Sequence, residues 1–141
     1  MNVQDIMTAN PITVGLEMPV LDAQKLMRTQ RIRHLLVTEH HRLVGIVTDR
    51  DVRLSLPSSA TSLSVWELNY LVARLTVEEV MTRVVIIVEP QRDAGDAARI
   101  MLDHKIGALP VVDGEVIVGI VTETDMLRAF ATMATPALAA R

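Results

Sequence analysis

The 141-residue sequence contains no cysteine and only three aromatic residues, Trp66, Tyr70 and Phe130. Without cysteine there is no disulfide framework, thiolate nucleophile or cysteine-ligated zinc, and the composition fits a reducing compartment. So few aromatic side chains argue against stacking on single-stranded nucleic acid. The chain also lacks a basic block, because 14 Lys and Arg stand against 17 Asp and Glu, for a net charge of −3. We therefore expect no nucleic-acid partner.

Long hydrophobic runs and a targeting pattern are missing as well. The longest apolar runs, Val84 to Val88 and Val116 to Val121, fall far short of the roughly 20 residues of a membrane helix. The first residues contain Asp5 and no Lys or Arg, unlike a signal peptide. We expect a cytoplasmic protein without a membrane partner.

Motifs that would indicate catalysis are also missing: the sequence has no nucleophile elbow, Walker loop or metal-ligand cluster. The adjacent His40 and His41 lie on a predicted hairpin, where neighbouring side chains point to opposite sides, so we interpret them as a solvated turn. We therefore expect binding without chemistry, no metal and no enzymatic activity.

What the sequence does contain is a second copy of itself. Residues 3–54 and 77–128 match without a gap, at a constant offset of 74 positions. The closest block is Val44-Gly45-Ile46-Val47-Thr48 against the same five letters at 118–122, followed by Asp51 and Asp125. Each copy is too short to bury a core comfortably, so we expect the two copies to pack face to face as one globule.

Each copy predicts the order strand, helix, strand, strand, helix. A short β-branched run indicates the first strand, and an apolar i, i+3, i+7 stripe indicates the first helix. Two apolar segments on either side of a polar turn indicate a hairpin. The first copy gives strands at Ile12 to Val14, Leu35 to Val37 and Leu43 to Val47, with helices starting near Pro19 and Thr48. The second gives a strand at Val84 to Val88, an Asp113-Gly114 turn, and helices starting near Asp93 and Thr122.

These elements divide the chain into a first repeat at 1–56, a connector at 57–76, a second repeat at 77–134 and a flexible tail at 135–141. Within the connector, Ser64 and Glu67 have the spacing of a capping box. This spacing predicts a helix running to about Arg74.

The paired pattern resembles the CBS-domain family, on the Gly-Ile-Val-Thr-x-x-Asp block in both copies. Arg33-His34-Leu35-Leu36-Val37 and Ala108-Leu109-Pro110-Val111-Val112 are similar to the strand that this family usually writes His-Leu-Pro-Val-Val, with Leu36 replacing proline. The chain is also similar to small stand-alone CBS-pair proteins described as acetoin-utilisation or inosinate-dehydrogenase-related, but nothing resembles the dehydrogenase barrel. The resemblance implies an α/β (α+β) fold of two tandem CBS repeats packed with pseudo-two-fold symmetry.

The resemblance also implies a function. It indicates a regulatory module that binds an adenine nucleotide, AMP, ADP or ATP, in clefts between the two repeats and acts on an unidentified protein. Members of this size commonly form homodimers, to which Trp66 and Tyr70 would add apolar contact. The alternative is a structural module for dimerisation or protein interaction, whose clefts hold no nucleotide.

The residues implied for binding start with the Thr-x-x-Asp pairs. The resemblance places a ribose on Asp51 and Asp125, and a phosphate near Thr48 and Thr122. A carboxylate accepts hydrogen bonds from both hydroxyls of a cis-diol. The simpler interpretation is that the threonines are helix N-caps and the acids favour the helix dipole.

The remaining candidates line the implied adenine slot and the phosphate side. Slot walls are implied at Ile12, Thr13, Ile32 and Leu35 in the first copy, and at Ile86, Ile87, Ile106 and Leu109 in the second. Phosphate partners are implied at Arg33, His34 and Arg50, whose counterparts Gly107, Ala108 and Thr124 are uncharged. We therefore expect two unequal sites.

Overall fold

The computed structural model describes residues 1–57 and 62–134. The predicted tail and residues 58–61 of the predicted connector lie outside this part of the chain. The elements follow in the order α1 (Val3–Ile6), β1 (Thr8–Ala9), β2 (Thr13–Gly15), α2 (Val20–Gln30), β3 (His34–Glu39), β4 (Arg42–Thr48), α3 (Asp49–Ser55), α4 (Val65–Arg74), α5 (Val77–Val80), α6 (Ala94–His104), β5 (Ala108–Asp113), β6 (Val116–Thr122) and α7 (Glu123–Ala134).

The chain forms two compact units, and the first residues of each repeat belong to the unit that contains most of the other repeat. The Thr48 unit is Ile12–Val85, and the Thr122 unit joins Met1–Pro11 to the chain from Ile86 onward. The short helix at the start of the first repeat, α1, thus belongs to the Thr122 unit, and its equivalent α5 belongs to the Thr48 unit.

The Thr48 unit is built on a three-stranded sheet in the order β2-β3-β4. Strand β2 runs parallel to β3, and β3 pairs antiparallel with β4. A two-residue turn joins the hairpin, with His40 at φ 52° and His41 at φ 66°. The core residues are Val14, Val20, Ala23, Met27, Leu35, Val37, Val47, Val52, Val77 and Met81. Because β3 is buried along its middle, the predicted covering of both sheet faces is confirmed for this strand.

The Thr122 unit repeats the hairpin but takes a different third strand. Its sheet has the order β1-β6-β5, with β1 antiparallel to β6 through Thr8 opposite Ile120. The predicted strand at Val84 to Val88 was wrong, because only Val88 forms a bridge, to Val111. Val84 and Ile87 are 88% and 47% exposed, so these two positions lack the side-chain packing through which β-branched residues favour strands.

The helix predictions that rested on local capping residues are confirmed. Pro19 and Asp93 are the N-caps of α2 and α6, and the Asp93 carboxylate accepts from the backbone of the first turn. Ser64 caps α4, which ends at Arg74 as predicted. The sequence analysis missed α1 and α5, although Thr76 and Glu79 have the capping-box spacing that α5 uses.

Across the part of the chain that the structure describes, no helix combines the length and the apolar character needed to cross a membrane.

Candidate functional site

The first candidate site forms where β4 ends and α3 begins. Thr48 is the N-cap: its Oγ1 accepts from the Asp51 N–H at 3.0 Å, and its own N–H donates to Asp51 Oδ2 at 2.9 Å. His34 lies opposite Thr48 in the β3–β4 ladder. The Asp49 N–H donates to the Arg33 carbonyl at 3.0 Å. The fold therefore places the backbone of residues 33 and 34 beside the start of α3, where the Thr48–Asp51 pair lies.

The chemistry of this site is that of a partly open carboxylate beside positive charge. Asp51 and Thr48 are half-buried, whereas Arg33 and Arg50 are exposed. The cap engages Asp51 through Oδ2, and a carboxylate has about four lone-pair sites for hydrogen bonds. Capping and acceptance of ligand hydroxyls are therefore compatible at Asp51.

The second candidate site has the same cap but a more engaged acid. The Thr122 N–H and hydroxyl donate to Asp125 Oδ2 at 2.8 and 3.1 Å. The Thr8 hydroxyl and Arg128 Nη1 donate to Asp125 Oδ1 at 3.2 and 3.3 Å. Asp125 is only 3% exposed. Both of its carboxylate oxygens already serve internal donors.

The two sites are therefore unequal in the acid as well as in the predicted cations. The residue three positions after Asp125 is Arg128, whereas Leu54 follows Asp51 at the same spacing. The sequence analysis did not identify Arg128 or Thr8 as partners of Asp125. Arg128 has a local signal, its i, i+3 spacing, but Thr8 lies 117 positions away.

The predicted wall residues of the adenine slot lie in the Thr48 unit for the first copy and in the Thr122 unit for the second. They differ in how exposed their side chains are. In the Thr48 unit, Ile12 and Ile32 are half-buried, Thr13 is exposed and Leu35 is fully buried. Ile12 and Thr13 lie beside β3, which contains Leu35, because the Leu36 N–H donates to the Ile12 carbonyl at 3.4 Å and Thr13 lies opposite Leu36. Ile32 precedes this strand.

In the Thr122 unit, Ile86 and Ile106 are half-buried, Ile87 is 47% exposed and Leu109 is fully buried. The fully buried Leu35 and Leu109 belong to the hydrophobic cores of their units. Among the residues that the structure describes, no group of three or more His, Cys, Asp or Glu side chains could hold a metal ion.

Comparison with known proteins identifies the repeats. A family model described as the CBS domain matches residues 3–58 and again residues 77–132. The chain belongs to the CBS-domain family. The two matched segments are the two copies found in the sequence, and each contains one Thr-x-x-Asp pair.

Solved structures match over nearly the whole chain. A Vibrio cholerae acetoin utilization protein, AcuB, is 32% identical, with a TM-score of 0.79 and coverage of 95% of this chain and 93% of its own. The CBS domain pair of MJ0100, in complex with 5′-methylthioadenosine and S-adenosyl-L-methionine, is 31% identical, with a TM-score of 0.77 and coverage of 94% and 98%. CBSX2 in complex with AMP is 30% identical, with a TM-score of 0.77 and the same coverage.

A longer enzyme also matches. The L-aspartate semialdehyde sulfurtransferase of Methanocaldococcus jannaschii is 34% identical over 130 residues, which is 91% of this chain but only 23% of the enzyme. The likeness therefore covers the CBS pair and less than a quarter of that relative's length.

Proposed function

We propose that this chain is a regulatory module that binds an adenine nucleotide, AMP, ADP or ATP, at the Thr48–Asp51 site and catalyses no reaction itself. Asp51 accepts from the ribose hydroxyls, and Arg33, His34 and Arg50 face the phosphate. The module acts as a homodimer on a protein that it regulates. We assign it to the cytoplasm, because its cysteine-free composition fits a reducing compartment.

The observation that carries this proposal is the half-buried Asp51 carboxylate at the start of α3, where the Asp49 N–H donates to the Arg33 carbonyl. The ligands in the MJ0100 and CBSX2 structures, 5′-methylthioadenosine, S-adenosyl-L-methionine and AMP, share an adenosine group with a ribose cis-diol. A carboxylate suits that diol in all three. Arginines near the same carboxylate favour a ligand that carries phosphate.

A panel of AMP, ADP, ATP, 5′-methylthioadenosine and S-adenosyl-L-methionine tests the proposal by thermal shift and calorimetry. A ligand at 100 times its dissociation constant should stabilise the fold by about 2.7 kcal/mol. At about 4 °C per kcal/mol for a chain of this size, that stabilisation corresponds to a melting shift of roughly 10 °C. Calorimetry should find one dominant site per chain, because Asp125 is buried and internally bonded.

The variant Asp51→Asn keeps an oxygen that can accept from the Thr48 N–H but removes the charge. It should weaken nucleotide binding about tenfold or more, because hydrogen bonds to a charged group contribute about 1.5–3 kcal/mol each. Asp22→Asn, a substitution of an exposed acid on α2, is the matched control and should bind as the parent does. Equal affinities for the parent and Asp51→Asn would refute the ribose role.

The second candidate function is that of a structural module for dimerisation or protein interaction, and exposed apolar side chains favour it. Trp66 on α4 is 84% exposed and Phe130 on α7 is 68% exposed, and such side chains are typical of interaction surfaces. If no member of the ligand panel shifts the melting curve at millimolar concentration, dimerisation or docking without nucleotide becomes the better explanation.

A further inference from the structure

A second feature of the Thr48 unit is a groove between α2 and α3, with a cavity volume of about 370 Å³. Four of the residues that line it are arginines: Arg28, Arg31, Arg33 and Arg53. Its acidic lining residue is Asp49. The volume falls within the usual range of small-molecule sites, about 300–1,000 Å³.

The arginines come from three different parts of the unit. Arg28 lies in the last turn of α2, Arg31 is the left-handed C-cap of that helix, Arg33 lies on the segment before β3, and Arg53 lies on α3. A cation near the end of α2 favours the helix dipole. That effect accounts for Arg28 and Arg31, and for Arg53 in the last turn of α3, but not for Arg33, which lies outside both helices. It does not explain why the four arginines line one groove.

Internal pairing neutralises little of this charge. Asp49 Oδ2 lies 3.8 Å from Arg53 Nη2, and both side chains are substantially exposed. Such a surface pair contributes only about 0–1 kcal/mol to stability. One carboxylate among four guanidinium groups leaves the groove with a net positive charge.

The second repeat shows that the fold does not need these cations. At the offset of 74 positions, Arg28, Arg33 and Arg53 are replaced by Leu102, Gly107 and Leu127, while Lys105 replaces Arg31. Apolar lining residues are kept, since Met27 and Ile32 correspond to Met101 and Ile106. Three of the four positive charges, those of Arg28, Arg33 and Arg53, are therefore specific to the first copy.

We propose that this arginine groove binds a chain of phosphate groups, such as a linear triphosphate. Guanidinium groups contact phosphate oxygens through paired N–H donors, and several of them on different elements suit several linked phosphates better than one. Thr48 and Asp51 do not line the groove, but Ile32 and Arg33 of the proposed nucleotide site do. The groove therefore adjoins that site and shares these two residues with it. The chain of phosphates is either free or the tail of a nucleotide.

Calorimetry with inorganic triphosphate, orthophosphate and ATP tests the groove. The parent protein should bind triphosphate more tightly than orthophosphate. The double variant Arg28→Leu/Arg53→Leu should weaken triphosphate binding about tenfold or more, since each lost contact is a charge-assisted hydrogen bond. Leucine is already tolerated, and exposed, at the corresponding positions 102 and 127. Arg28→Gln/Arg53→Gln should show the same loss without adding apolar surface.

The double variant Lys25→Leu/Arg99→Leu is the charge-matched control. Lys25 and Arg99 occupy equivalent positions of the two copies, are exposed, and do not line the groove. This control should keep the parent affinity. Equal weakening in the groove and control variants would overturn the proposal, as would the absence of triphosphate binding to the parent at millimolar concentration.

Asp51→Asn separates this proposal from the proposed nucleotide site. It should leave triphosphate binding unchanged even where it weakens AMP binding. If the groove variants weaken ATP binding more than AMP binding, the phosphate chain comes from a nucleotide, and if they weaken triphosphate alone, the ligand is free polyphosphate. Loss of triphosphate binding in Asp51→Asn would refute a groove that binds phosphate independently of Asp51.

Discussion

Replacing Asp125 by alanine should destabilise the protein far more than replacing Asp51 does, although the two residues are equivalent by repeat. Asp125 is 3% exposed and accepts from the Thr122 N–H at 2.8 Å and the Thr8 hydroxyl at 3.2 Å. Two hydrogen bonds to a buried charged group, at about 1.5 kcal/mol each, give a loss of about 3 kcal/mol. The Arg128 contact adds little, because that side chain is 68% exposed.

The Asp51→Ala variant removes a capping interaction at a half-buried position. Loss of a cap costs about 1 kcal/mol. At about 4 °C per kcal/mol for a chain of this size, the melting temperature should fall by about 12 °C for Asp125→Ala and about 4 °C for Asp51→Ala.

Urea and thermal unfolding of the two unliganded variants, followed by circular dichroism, measure this difference. Asp125→Asn should recover part of the loss, because its amide oxygen still accepts from the Thr122 N–H. A double-mutant cycle with Thr8→Val isolates the contact between residues 8 and 125, with an expected coupling of about 1 kcal/mol. Equal losses for Asp125→Ala and Asp51→Ala would refute the claim that internal donors occupy Asp125.

Three further predictions address packing, the hairpin turn and assembly. Gly119→Ala should lower the free energy of unfolding by about 1–3 kcal/mol, because the added Cβ would lie 2.9 Å from the Thr8 carbonyl oxygen. Gly15→Ala is the control and should be nearly neutral, because its Cβ would have no atom within 4 Å. Similar urea midpoints for the two variants would contradict this prediction. His40→Gly should raise the free energy of unfolding by about 0.5–1 kcal/mol, and the urea midpoint with it, since φ is 52° there and the equivalent residue of the other hairpin is Gly114 at φ 65°. An unchanged midpoint would show no strain at this turn. Light scattering at tens of micromolar should give twice the mass of one chain, and a monomer would count against both the homodimer and the interaction-module alternative.

The parts of the fold that the sequence predicted are those set by local interactions. Helix α4 is an example, because Ser64 and Glu67 mark its start within one turn. The hairpins and the Thr48 and Thr122 caps are local too. The repeat itself strengthened these predictions, since a pattern seen twice in register is a stronger signal than either copy alone.

For the candidate sites, the sequence identified both Thr-x-x-Asp pairs, and the structure places each at the predicted helix start. Which acid remains available was not predictable, because the Thr8 hydroxyl reaches Asp125 across 117 positions. The arginine groove was missed for a similar reason. Arg28 and Arg53 are far apart in the sequence and meet only when α2 lies beside α3.

The sequence by itself therefore determined the two copies, most of their helices and strands, and the residues able to cap or bind. The tertiary structure alone decided that the repeats exchange their first residues, that Asp125 is buried while Asp51 is half-buried, and that Val84 to Val88 does not form a full strand. Periodicity and capping depend on neighbours a few positions apart. Exchange, burial and strand pairing depend on which distant segments pack together, and a local pattern carries no information about that choice.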